Sequence, residues 1–341
     1  MINVGLIGYG LAGKVFHVPF IRAVDGLHLS AIVQRSGSND PALKDVEFVR
    51  SVDELLARPV DLVVVATPNS THHPFATQCL LAGRHVVIDK PFTSTLAQAE
   101  DLVHLAARQN RLLTVFQNRR WDGDFMTVQQ VLHEGSLGRI VAYESHFDRY
   151  RPELRVGKWN EEGIDGNGLL FDLGPHVIDQ ALVLFGVPEA LQADLRTVRD
   201  GSAVVDSFDI TFYYPHLRAL LRSTLLAAAN GARFTVHGTE GSFVKFGIDP
   251  QEDDMKAGRK ITDPNWGADN PDDYGTITTS DSERTLPTIP GDYRKFYQNV
   301  RDAILGKAPL AVTPEQALNV MRVIDLAIAS SKKRCALPWP K

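Results

Sequence analysis

Short apolar runs alternate with segments of helical periodicity through the first third of the chain. The apolar runs occupy residues 4–7, 29–33, 62–66, 86–88 and 112–116, and the helical segments between them include 52–57, 75–82 and 96–108. Strands without a polar face are typical of a parallel sheet that helices cover on both sides. The pattern therefore predicts an N-terminal α/β domain with a doubly wound parallel sheet, which we assign to residues 1–120.

Beyond residue 120 the pattern changes to longer strand-like segments that follow one another directly. These segments are residues 140–150, 208–214, 219–227 and 234–236. Such a succession predicts an open, mainly antiparallel sheet. We therefore expect a C-terminal α+β domain over residues 121–341.

Two further segments of this second domain have a distinct composition. Residues 247–282 are polar and rich in Asp, Pro and Gly, so we expect a long excursion on the surface. Residues 313–334 are predicted to form a terminal helix, because Thr313, Pro314 and Gln316 make an N-terminal capping sequence.

The composition excludes several classes of function. The 341 residues are 44% hydrophobic and carry a formal net charge of −5, which offers no electrostatic footprint for nucleic acid. The two cysteines, Cys79 and Cys335, are too few for a disulfide framework and lack the spacing of a zinc site. The start has no signal-peptide pattern, and no apolar run approaches the ~18 residues of a membrane helix. We expect a cytoplasmic protein with no metal, nucleic-acid or membrane partner.

A glycine-rich loop follows the first apolar run. It consists of Gly8, Tyr9, Gly10, Leu11, Ala12 and Gly13. Gly8 permits a tight turn, Gly10 allows the backbone to approach a pyrophosphate, and Gly13 allows the next helix to pack closely. The N-terminus of that helix offers N–H donors to the anion. Because the loop joins a strand to a helix, it predicts a dinucleotide-binding Rossmann fold, with a purely structural glycine turn as the alternative.

The end of the second predicted strand indicates which dinucleotide is bound. An acidic residue there would bind the ribose 2′-hydroxyl of NAD, whereas an arginine would accommodate the 2′-phosphate of NADP. The chain has Gln34, Arg35 and Ser36 at this position and no acid. A guanidinium and a hydroxyl suit a phosphate dianion, so Arg35 and Ser36 predict a preference for NADP(H) over NAD(H). The alternative is that Arg35 is a solvated loop residue.

Two further loops follow predicted parallel strands, at the edge where such sheets bind ligands. They contain Thr67, Pro68 and Asn69 after the third apolar run, and Asp89 and Lys90 after the fourth. Lys90 can donate to a reacting oxygen and stabilise the alkoxide-like charge that forms as hydride leaves carbon. A surface lysine ahead of a helix is the alternative interpretation.

Asp172 and His176 lie four residues apart and could share one proton-transfer task. If the chain is helical from about Leu170, both side chains fall on one face together with Asp179. Pro175 limits that arrangement, because proline fits only the first turn of a helix. His176 can take a hydroxyl proton during oxidation and return it during reduction, while Asp172 orients the imidazole or binds a substrate hydroxyl. The alternative is a structural or solvated pair.

The order and spacing of these motifs resemble the glucose-fructose oxidoreductase/inositol dehydrogenase (Gfo/Idh/MocA) family over essentially the whole chain. The matching segments are Gly8–Gly13, Thr67–Asn69 with His72, Asp89–Phe92, Gln117–Arg120 and Gly166–Asp179. Within the family, the chain is most similar to the NADP-dependent scyllo-inositol dehydrogenase branch. That similarity lies in Tyr9–Gly10, Lys14–His17, Asn118–Asp122, Glu144–Arg149 and Gly247–Glu252.

The resemblance implies that Lys90, Asp172 and His176 are the catalytic residues. It also implies dinucleotide contacts from the glycine loop and from Thr67, Pro68, Asn69, His72, Asp89 and Lys90. Asp89 stands where the family commonly has glutamate, an exchange that keeps the charge but shortens the reach of the side chain. The open sheet of the second domain commonly pairs between subunits in the family, so a homodimer or homotetramer is implied.

Side chains suited to a hydroxyl-rich ligand are concentrated near the junction of the two predicted domains. Polyols need hydrogen-bond donors and acceptors beside a flat apolar surface. The candidates for substrate binding are Asn118, Arg119, Trp121, Arg149 and Trp159, together with Asp172 and His176. Arg149 could equally form salt bridges, and Trp121 could be a core residue.

Residues and resemblance together predict an NADP(H)-dependent oxidoreductase that transfers hydride between nicotinamide and a secondary alcohol or ketone. The expected substrate is an inositol of the scyllo-inositol/scyllo-inosose type or a pyranose sugar. Two alternatives stay open. One is a redox-assisted glycosidase of the same fold, which leaves the cofactor unchanged overall, and the other is a non-catalytic NADP-binding sensor.

Overall fold

The computed structural model describes residues 1–34, 40–155, 157, 161–229 and 231–340. The chain forms two compact units. The first comprises Met1–Asn118, Asp253–Asp263 and Tyr293–Leu318, and the second comprises Arg119–Glu252, Pro264–Asp292 and Asn319–Lys341. Each unit is therefore assembled from segments that are distant in the sequence.

Ten α-helices lie within the described residues. They are α1 (Val18–Ala23), α2 (Val52–Leu56), α3 (His72–Leu81), α4 (Leu96–Arg108), α5 (Gly123–Glu134), α6 (Leu169–Asp172), α7 (Gly174–Phe185), α8 (Gln251–Lys256), α9 (Arg294–Ile304) and α10 (Pro314–Lys333). Shorter turns are π-helical at Gly13–His17 and 3-10 helical at Pro41–Leu43, Asn69–Thr71, Asn118–Trp121 and Pro271–Asp273. None of the helices in the described ranges combines the length and apolarity needed to cross a membrane.

The first unit contains a parallel sheet of six described strands. They are β1 (Ile2–Ile7), β2 (Leu27–Val33), β3 (Glu47–Val49), β4 (Leu62–Val65), β5 (His85–Ile88) and β6 (Leu113–Val115). Their order across the sheet is β3-β2-β1-β4-β5-β6, and every neighbouring pair is parallel. The strand order reverses between β1 and β4, which is where open α/β sheets bind ligands. The predicted doubly wound sheet is confirmed.

The centre of this sheet is apolar on both faces. All of Leu62–Val65 in β4 and Val86–Ile88 in β5 are fully buried. Because side chains alternate between the two faces of a strand, such runs require cover on both sides. Helix α3 packs against both strands, and α1 packs against β2. The apolar runs of the sequence thus become the core of the first unit.

The second unit contains a sheet of nine described strands. They are β7 (Ile140–His146), β8 (Ala190–Arg196), β9 (Ser207–Tyr213), β10 (Arg218–Thr224), β11 (Phe234–Gly238), β12 (Gly241–Lys245), β13 (Gly275–Thr279), β14 (Glu283–Leu286) and β15 (Leu337–Pro338). Their order is β14-β13-β12-β11-β7-β10-β9-β8-β15. The pair β7 and β10 is parallel, and the other pairs are antiparallel. The expected open, mainly antiparallel sheet is confirmed.

Alternation along these strands separates a buried face from a polar one. In β9, Phe208, Ile210 and Phe212 are buried. Asp209 points to the other face, where the Nη2 group of Arg222 donates to its Oδ2 atom at 3.0 Å. One face of the sheet therefore packs into the core of the second unit, while the other carries half-exposed ion pairs.

The segment 247–282 is not the surface excursion expected from its composition. It contributes strand β13, whose Ile277 is buried, and a buried Trp266. The fully buried Lys245 ammonium donates to Asp269 Oδ2 at 2.6 Å and to the Asp273 carbonyl at 2.7 Å. The segment is thus attached largely through polar contacts, which apolar periodicity does not detect.

The terminal helix α10 starts with the capping arrangement indicated by the sequence. The backbone N–H of Gln316 donates to Thr313 Oγ1 at 3.2 Å, and the backbone N–H of Thr313 donates to Gln316 Oε1 at 3.1 Å. These reciprocal bonds satisfy donors that a helix start leaves without an intrahelical partner.

Candidate active site

The glycine loop of the first unit requires glycine at two of its three positions. Gly8 has a φ of +100°, and a Cβ there would lie 2.3 Å from the carbonyl oxygen of Ala66. A Cβ at Gly13 would lie 2.3 Å from the carbonyl oxygen of Gly8. At Gly10, in contrast, a Cβ would have no atom of the described residues within 4 Å. The loop thus leaves backbone exposed at Gly10, as the cradle for a pyrophosphate requires.

The other loop residues differ in their exposure. Tyr9 is buried, whereas Leu11 is 66% exposed and Ala12 is half-buried. The Tyr9 hydroxyl donates to Asp40 Oδ2 at 2.7 Å, and the Lys14 ammonium lies 4.9 Å from the centre of the Tyr9 ring. The hydrogen bond from Tyr9 holds the pKa of Asp40 below its usual range. Tyr9 is therefore tied to Asp40, the residue that precedes the 3-10 turn Pro41–Leu43.

The predicted specificity residues Arg35 and Ser36 lie outside the described residues, as does the predicted substrate residue Trp159. Their assignments remain predictions from the sequence.

The loops after β4 and β5 are joined by His72. This side chain is fully buried, with Nδ1 2.9 Å from the Pro91 carbonyl oxygen and Nε2 2.8 Å from the Thr67 carbonyl oxygen. Burial lowers the pKa of His72. A neutral imidazole donates from one nitrogen, so one of the two carbonyl contacts carries the hydrogen bond at a time. In this position His72 ties the two loops that hold the predicted cofactor contacts.

Each of the two loops also has local contacts of its own. Thr71 Oγ1 donates to Thr67 Oγ1 at 2.7 Å and lies beside Pro68, while Asn69 is buried. In the other loop, Asp89 Oδ1 accepts from the backbone N–H of Lys90 at 2.8 Å. Lys90 is half-buried and is followed by a cis peptide bond to Pro91.

Sequence reasoning missed a buried pair beside Asp89. The Nδ1 atom of His17 lies 2.6 Å from the Tyr297 hydroxyl, and its Nε2 atom lies 3.6 Å from Asp89 Oδ2. His17 and Tyr297 are both fully buried. The two are 280 residues apart, so no local pattern could reveal the contact.

In the second unit, Asp172 and His176 stand on either side of a helix break. Helix α6 ends at Asp172, and α7 starts at Gly174 with Pro175 in its first turn. The continuous helix considered from the sequence is therefore absent, for the reason that Pro175 suggested. His176 is buried, and Asp172 is half-buried.

Further along α7, two side chains attach it to the start of the unit. Asp179 accepts two hydrogen bonds of 2.7 Å from the Arg120 guanidinium. Gln180 Nε2 donates to the Arg119 carbonyl oxygen at 3.0 Å. These contacts fix the backbone of the helix that carries His176.

The predicted substrate residues Arg119 and Arg149 meet at one aromatic ring. Their guanidinium carbons lie 4.7 Å and 4.8 Å from the centre of the Phe147 ring. Arg119 is buried and also pairs with Asp122 at 3.1 Å and with Glu252. Its charge is thus largely compensated within the unit, which favours a fixed hydrogen-bonding role over capture of an anion.

For the two remaining candidates the structure shows a backbone contact and a buried position. The Trp121 carbonyl oxygen accepts from Gln251 Nε2 at 3.2 Å and from the backbone N–H of Asp292 at 3.1 Å. Asn118 is buried in the first unit. Within the described residues, no group of three or more His, Cys, Asp or Glu side chains could hold a metal ion.

Three buried carboxyl groups cluster at the start of α5. Asp122 and Asp124 flank the first helical residue, and Asp249 Oδ2 accepts from the backbone N–H of Gly123 at 2.7 Å. Burial, followed by the negative charges of Asp122 and Asp124, raises the pKa of Asp249 well above its usual value. The native protein therefore binds a proton at Asp249 more tightly than the unfolded chain does.

This proton should make stability fall as pH rises. Because folding raises the pKa of Asp249, the free energy of unfolding decreases between the ordinary aspartate pKa and the raised native value, by up to about 1.4 kcal/mol per pH unit. We expect Asp249→Asn to remove this contribution, so that the Tm of the variant rises relative to that of the wild type as the pH is raised above the ordinary aspartate pKa. Asp253→Asn is the control, since that side chain is 87% exposed. Parallel Tm curves for wild type and Asp249→Asn would contradict the prediction.

Two family descriptions match the chain in succession. Residues 2–117 match the NAD-binding Rossmann fold of an oxidoreductase family, and residues 129–337 match the C-terminal alpha/beta domain of the same family, GFO_IDH_MocA. The two matches coincide with the parallel and the mainly antiparallel sheet.

Individual relatives are similar over nearly the whole chain. YdgJ of Escherichia coli (strain K12), described as an oxidoreductase, is 45% identical over 98% of this chain and 98% of its own. The scyllo-inositol 2-dehydrogenase (NADP(+)) IolW of Bacillus subtilis (strain 168) is 41% identical over 98% of this chain and 94% of its own. A solved structure from Yersinia pestis has a TM-score of 0.93 at 47% identity, covering 100% of this chain and 97% of that one.

These matches span both sheets and agree with the glycine loop and the strand order. The chain therefore belongs to the Gfo/Idh/MocA family of oxidoreductases and carries that family's NAD-binding Rossmann fold.

Proposed function

We propose that this oxidoreductase is an NADP(H)-dependent dehydrogenase for a secondary alcohol of an inositol, of the scyllo-inositol type, or of a pyranose sugar. The observation that carries the proposal is the full-length similarity to IolW, whose name gives both the polyol and the cofactor.

The first unit fits a dinucleotide. The loop from Gly8 to Gly13 would hold the pyrophosphate, because Gly10 leaves open space where a side chain would stand and the following helical turn offers N–H donors. Thr67, Asn69 and Lys90 lie in loops at the carboxyl ends of β4 and β5, the edge at which such sheets bind ligands. A bound nicotinamide supplies a hydride acceptor or donor.

Three side chains would carry the remaining chemistry. Lys90 would donate to the substrate oxygen and stabilise the negative charge that develops there during hydride transfer. His176 would accept the hydroxyl proton in oxidation and return it in reduction. Asp172 would bind the substrate hydroxyl or orient the imidazole.

Cofactor preference would depend on Arg35. A guanidinium can pair with the 2′-phosphate of NADPH through charge-assisted hydrogen bonds, whereas NADH offers a neutral hydroxyl at the same place. We expect Arg35→Ala to weaken NADPH binding by about 10- to 100-fold, the loss of one charged hydrogen-bond pair, with NADH binding changed little. Titration of each dinucleotide by intrinsic fluorescence measures both constants. No effect on NADPH binding would show that Arg35 is a solvated residue, and an equal loss for both dinucleotides would exclude the 2′-phosphate as its partner.

Nicotinamide absorbance tests the proposal directly. Purified protein is mixed with NADP or NAD and a panel of scyllo-inositol, myo-inositol, glucose and xylose. The expected result is an absorbance rise with NADP and at least one polyol. A rise only with NAD would refute the cofactor assignment, and release of free sugar from a glycoside without net NADPH formation would indicate the glycosidase instead.

A further inference from the structure

The loop of Lys90 is connected to a buried chain of three side chains in the first unit. His17, in the π-helical turn after the glycine loop, contacts the Tyr297 hydroxyl at 2.6 Å through Nδ1 and faces Asp89 Oδ2 at 3.6 Å through Nε2. His17 and Tyr297 are fully buried, and the Asp89 side chain is 16% exposed. Nε2 of His17 has no hydrogen-bond partner among the described residues. A buried polar atom of this kind needs a partner, and Asp89 is the acceptor it faces.

The chemistry of the three groups fixes the direction of the hydrogen bonds. Burial, followed by the negative charge of Asp89, raises the pKa of Tyr297 well above its usual value, so its hydroxyl keeps its proton. An ionised carboxylate can only accept. The consistent arrangement has Tyr297 donating to Nδ1 and the Nε2–H of His17 directed at Asp89. At 3.6 Å the last contact is longer than a hydrogen bond, so it is an electrostatic contact between Nε2–H and the carboxylate.

The buried chain of three side chains ends at the backbone of Lys90. Asp89 Oδ1 accepts from the Lys90 N–H at 2.8 Å, while Oδ2 faces His17. Burial raises the pKa of Asp89, but His17, the positive charge of Lys90 and the neighbouring His72 outweigh it and lower the pKa overall. Asp89 is therefore an anion held between Lys90 and His17, with His72 as a further neighbour.

Aromatic packing restricts the movement of the His17 and Tyr297 rings. The His17 ring centre is 4.5 Å from that of Phe116, and the Tyr297 ring centre is 5.8 Å from Phe116. Phe296, next to Tyr297 in α9, also meets Phe116 edge-on at 4.8 Å. Strand β6 leads directly into Phe116, so α9 is packed against the end of the parallel sheet. A hydrogen-bond chain on such a rigid base can fix the position of a loop.

We propose that His17 and Tyr297 are positioning residues for Lys90: Tyr297 fixes the proton of His17 on Nε2, and His17 then holds the Asp89 carboxylate that anchors Lys90. The proposal rests on the proposed function in one respect, the role of Lys90 in catalysis. It gives a physical role to Asp89, which stands where the family commonly has glutamate.

Nuclear magnetic resonance of the protein without substrate tests the buried chain of three side chains independently of turnover. The signals are the Asp89 carboxyl carbon, the His17 ring nitrogens and the Lys90 13Cε–1H group, assigned with Asp89→Asn, His17→Phe and Lys90→Arg. In Tyr297→Phe we expect the chemical shifts of the His17 nitrogens to differ from those of a ring with its proton on Nε2. We also expect the Asp89 carboxyl to titrate at higher pH and the chemical shift of the Lys90 signal to change. The pH shift has this sign because the His17 contact lowers the pKa of Asp89, so weakening that contact leaves the effect of burial less opposed.

Tyr293→Phe is the matched control. It removes a hydroxyl from another fully buried tyrosine of the same unit, outside the chain of contacts. We expect all three signals to stay in place in this variant. If Tyr297→Phe proves unstable, His17→Phe gives the same test through the Asp89 and Lys90 signals. Unchanged signals in folded Tyr297→Phe or His17→Phe would overturn the proposal, as would equal changes in Tyr293→Phe.

Kinetics then shows whether positioning matters for the reaction. We expect Tyr297→Phe to lower kcat roughly 5-fold, the equivalent of one hydrogen bond, with the KM for NADP changed less than about 2-fold. A general loss of structure would instead raise KM and lower Tm together. Normal kcat in a variant whose Lys90 signal has moved would also overturn the proposal. Absence of turnover in the wild type would refute the proposed function alone, because the NMR signals still measure the contacts of His17, Asp89 and Lys90.

Discussion

Replacing Lys90 by methionine is expected to lower turnover by about 10²- to 10⁴-fold, the range seen when a positioned proton donor is removed. Methionine keeps the length and apolar stem of lysine but cannot donate a hydrogen bond or carry charge. The neighbours of Lys90 in the loop cannot replace it, because Asp89 is an anion and Pro91 has no N–H. The substrate oxygen would then develop its charge without an adjacent donor.

The measurement is the steady-state rate of NADPH formation with the best polyol of the panel, alongside Tm and NADP affinity. Tm should stay close to wild type, since the stem of the side chain is retained, and saturating NADP separates loss of the dinucleotide contact of Lys90 from loss of turnover. Lys44→Met is the matched control, because that lysine is exposed in the same unit. A Lys90→Met enzyme with more than about a tenth of wild-type turnover would exclude Lys90 as the donor.

Alanine should destabilise the protein at Gly8 but leave its stability unchanged at Gly10. Gly8→Ala forces a Cβ to 2.3 Å from the Ala66 carbonyl oxygen in a residue with a φ of +100°. Strain of this kind and the backbone shift that relieves it should cost about 2–4 kcal/mol in the free energy of unfolding. Gly10→Ala meets no described atom within 4 Å, so its Tm should remain near wild type.

Dinucleotide binding separates the two variants further. Gly10→Ala places a methyl group where the pyrophosphate would approach the backbone, so a folded variant with strongly weakened NADPH binding is expected. Gly8→Ala should lose binding and stability together. The measurements are thermal unfolding and NADPH titration on both proteins. Wild-type affinity in Gly10→Ala would argue that the dinucleotide does not lie on this loop.

Local patterns predicted the parts of the molecule that depend on neighbours in sequence. The central strands β4 and β5 appear as continuous apolar runs because helices cover both of their faces. The edge strand β3, Glu47–Val49, was missed. A partly exposed strand of three residues is too short to give a periodic pattern of apolar side chains. Strands β12, β13 and β14 were missed for a similar reason. Each is short, and a brief alternation of buried and exposed side chains cannot be distinguished from a loop.

The candidate site divides in the same way. The roles of Gly8 and Gly13 follow from the turn they make, and the structure agrees through the close backbone approaches at both positions. The pair of Asp172 and His176 was visible as a spacing, but its geometry was not, because the helix breaks at Leu173 between them. A proline indicates such a break without fixing which residue ends the first helix.

The doubly wound sheet and the glycine loop could be predicted from the amino-acid sequence because each depends on residues that are close along the chain, and the family could be predicted from the order of its motifs. Only the tertiary structure decided the contacts of His17 with Tyr297 and Asp89, and of Lys245 with Asp269. Those pairs join segments that come together when each unit packs. A buried polar group must find its partner in space, and nothing in the spacing of residues along the chain records which partner that is.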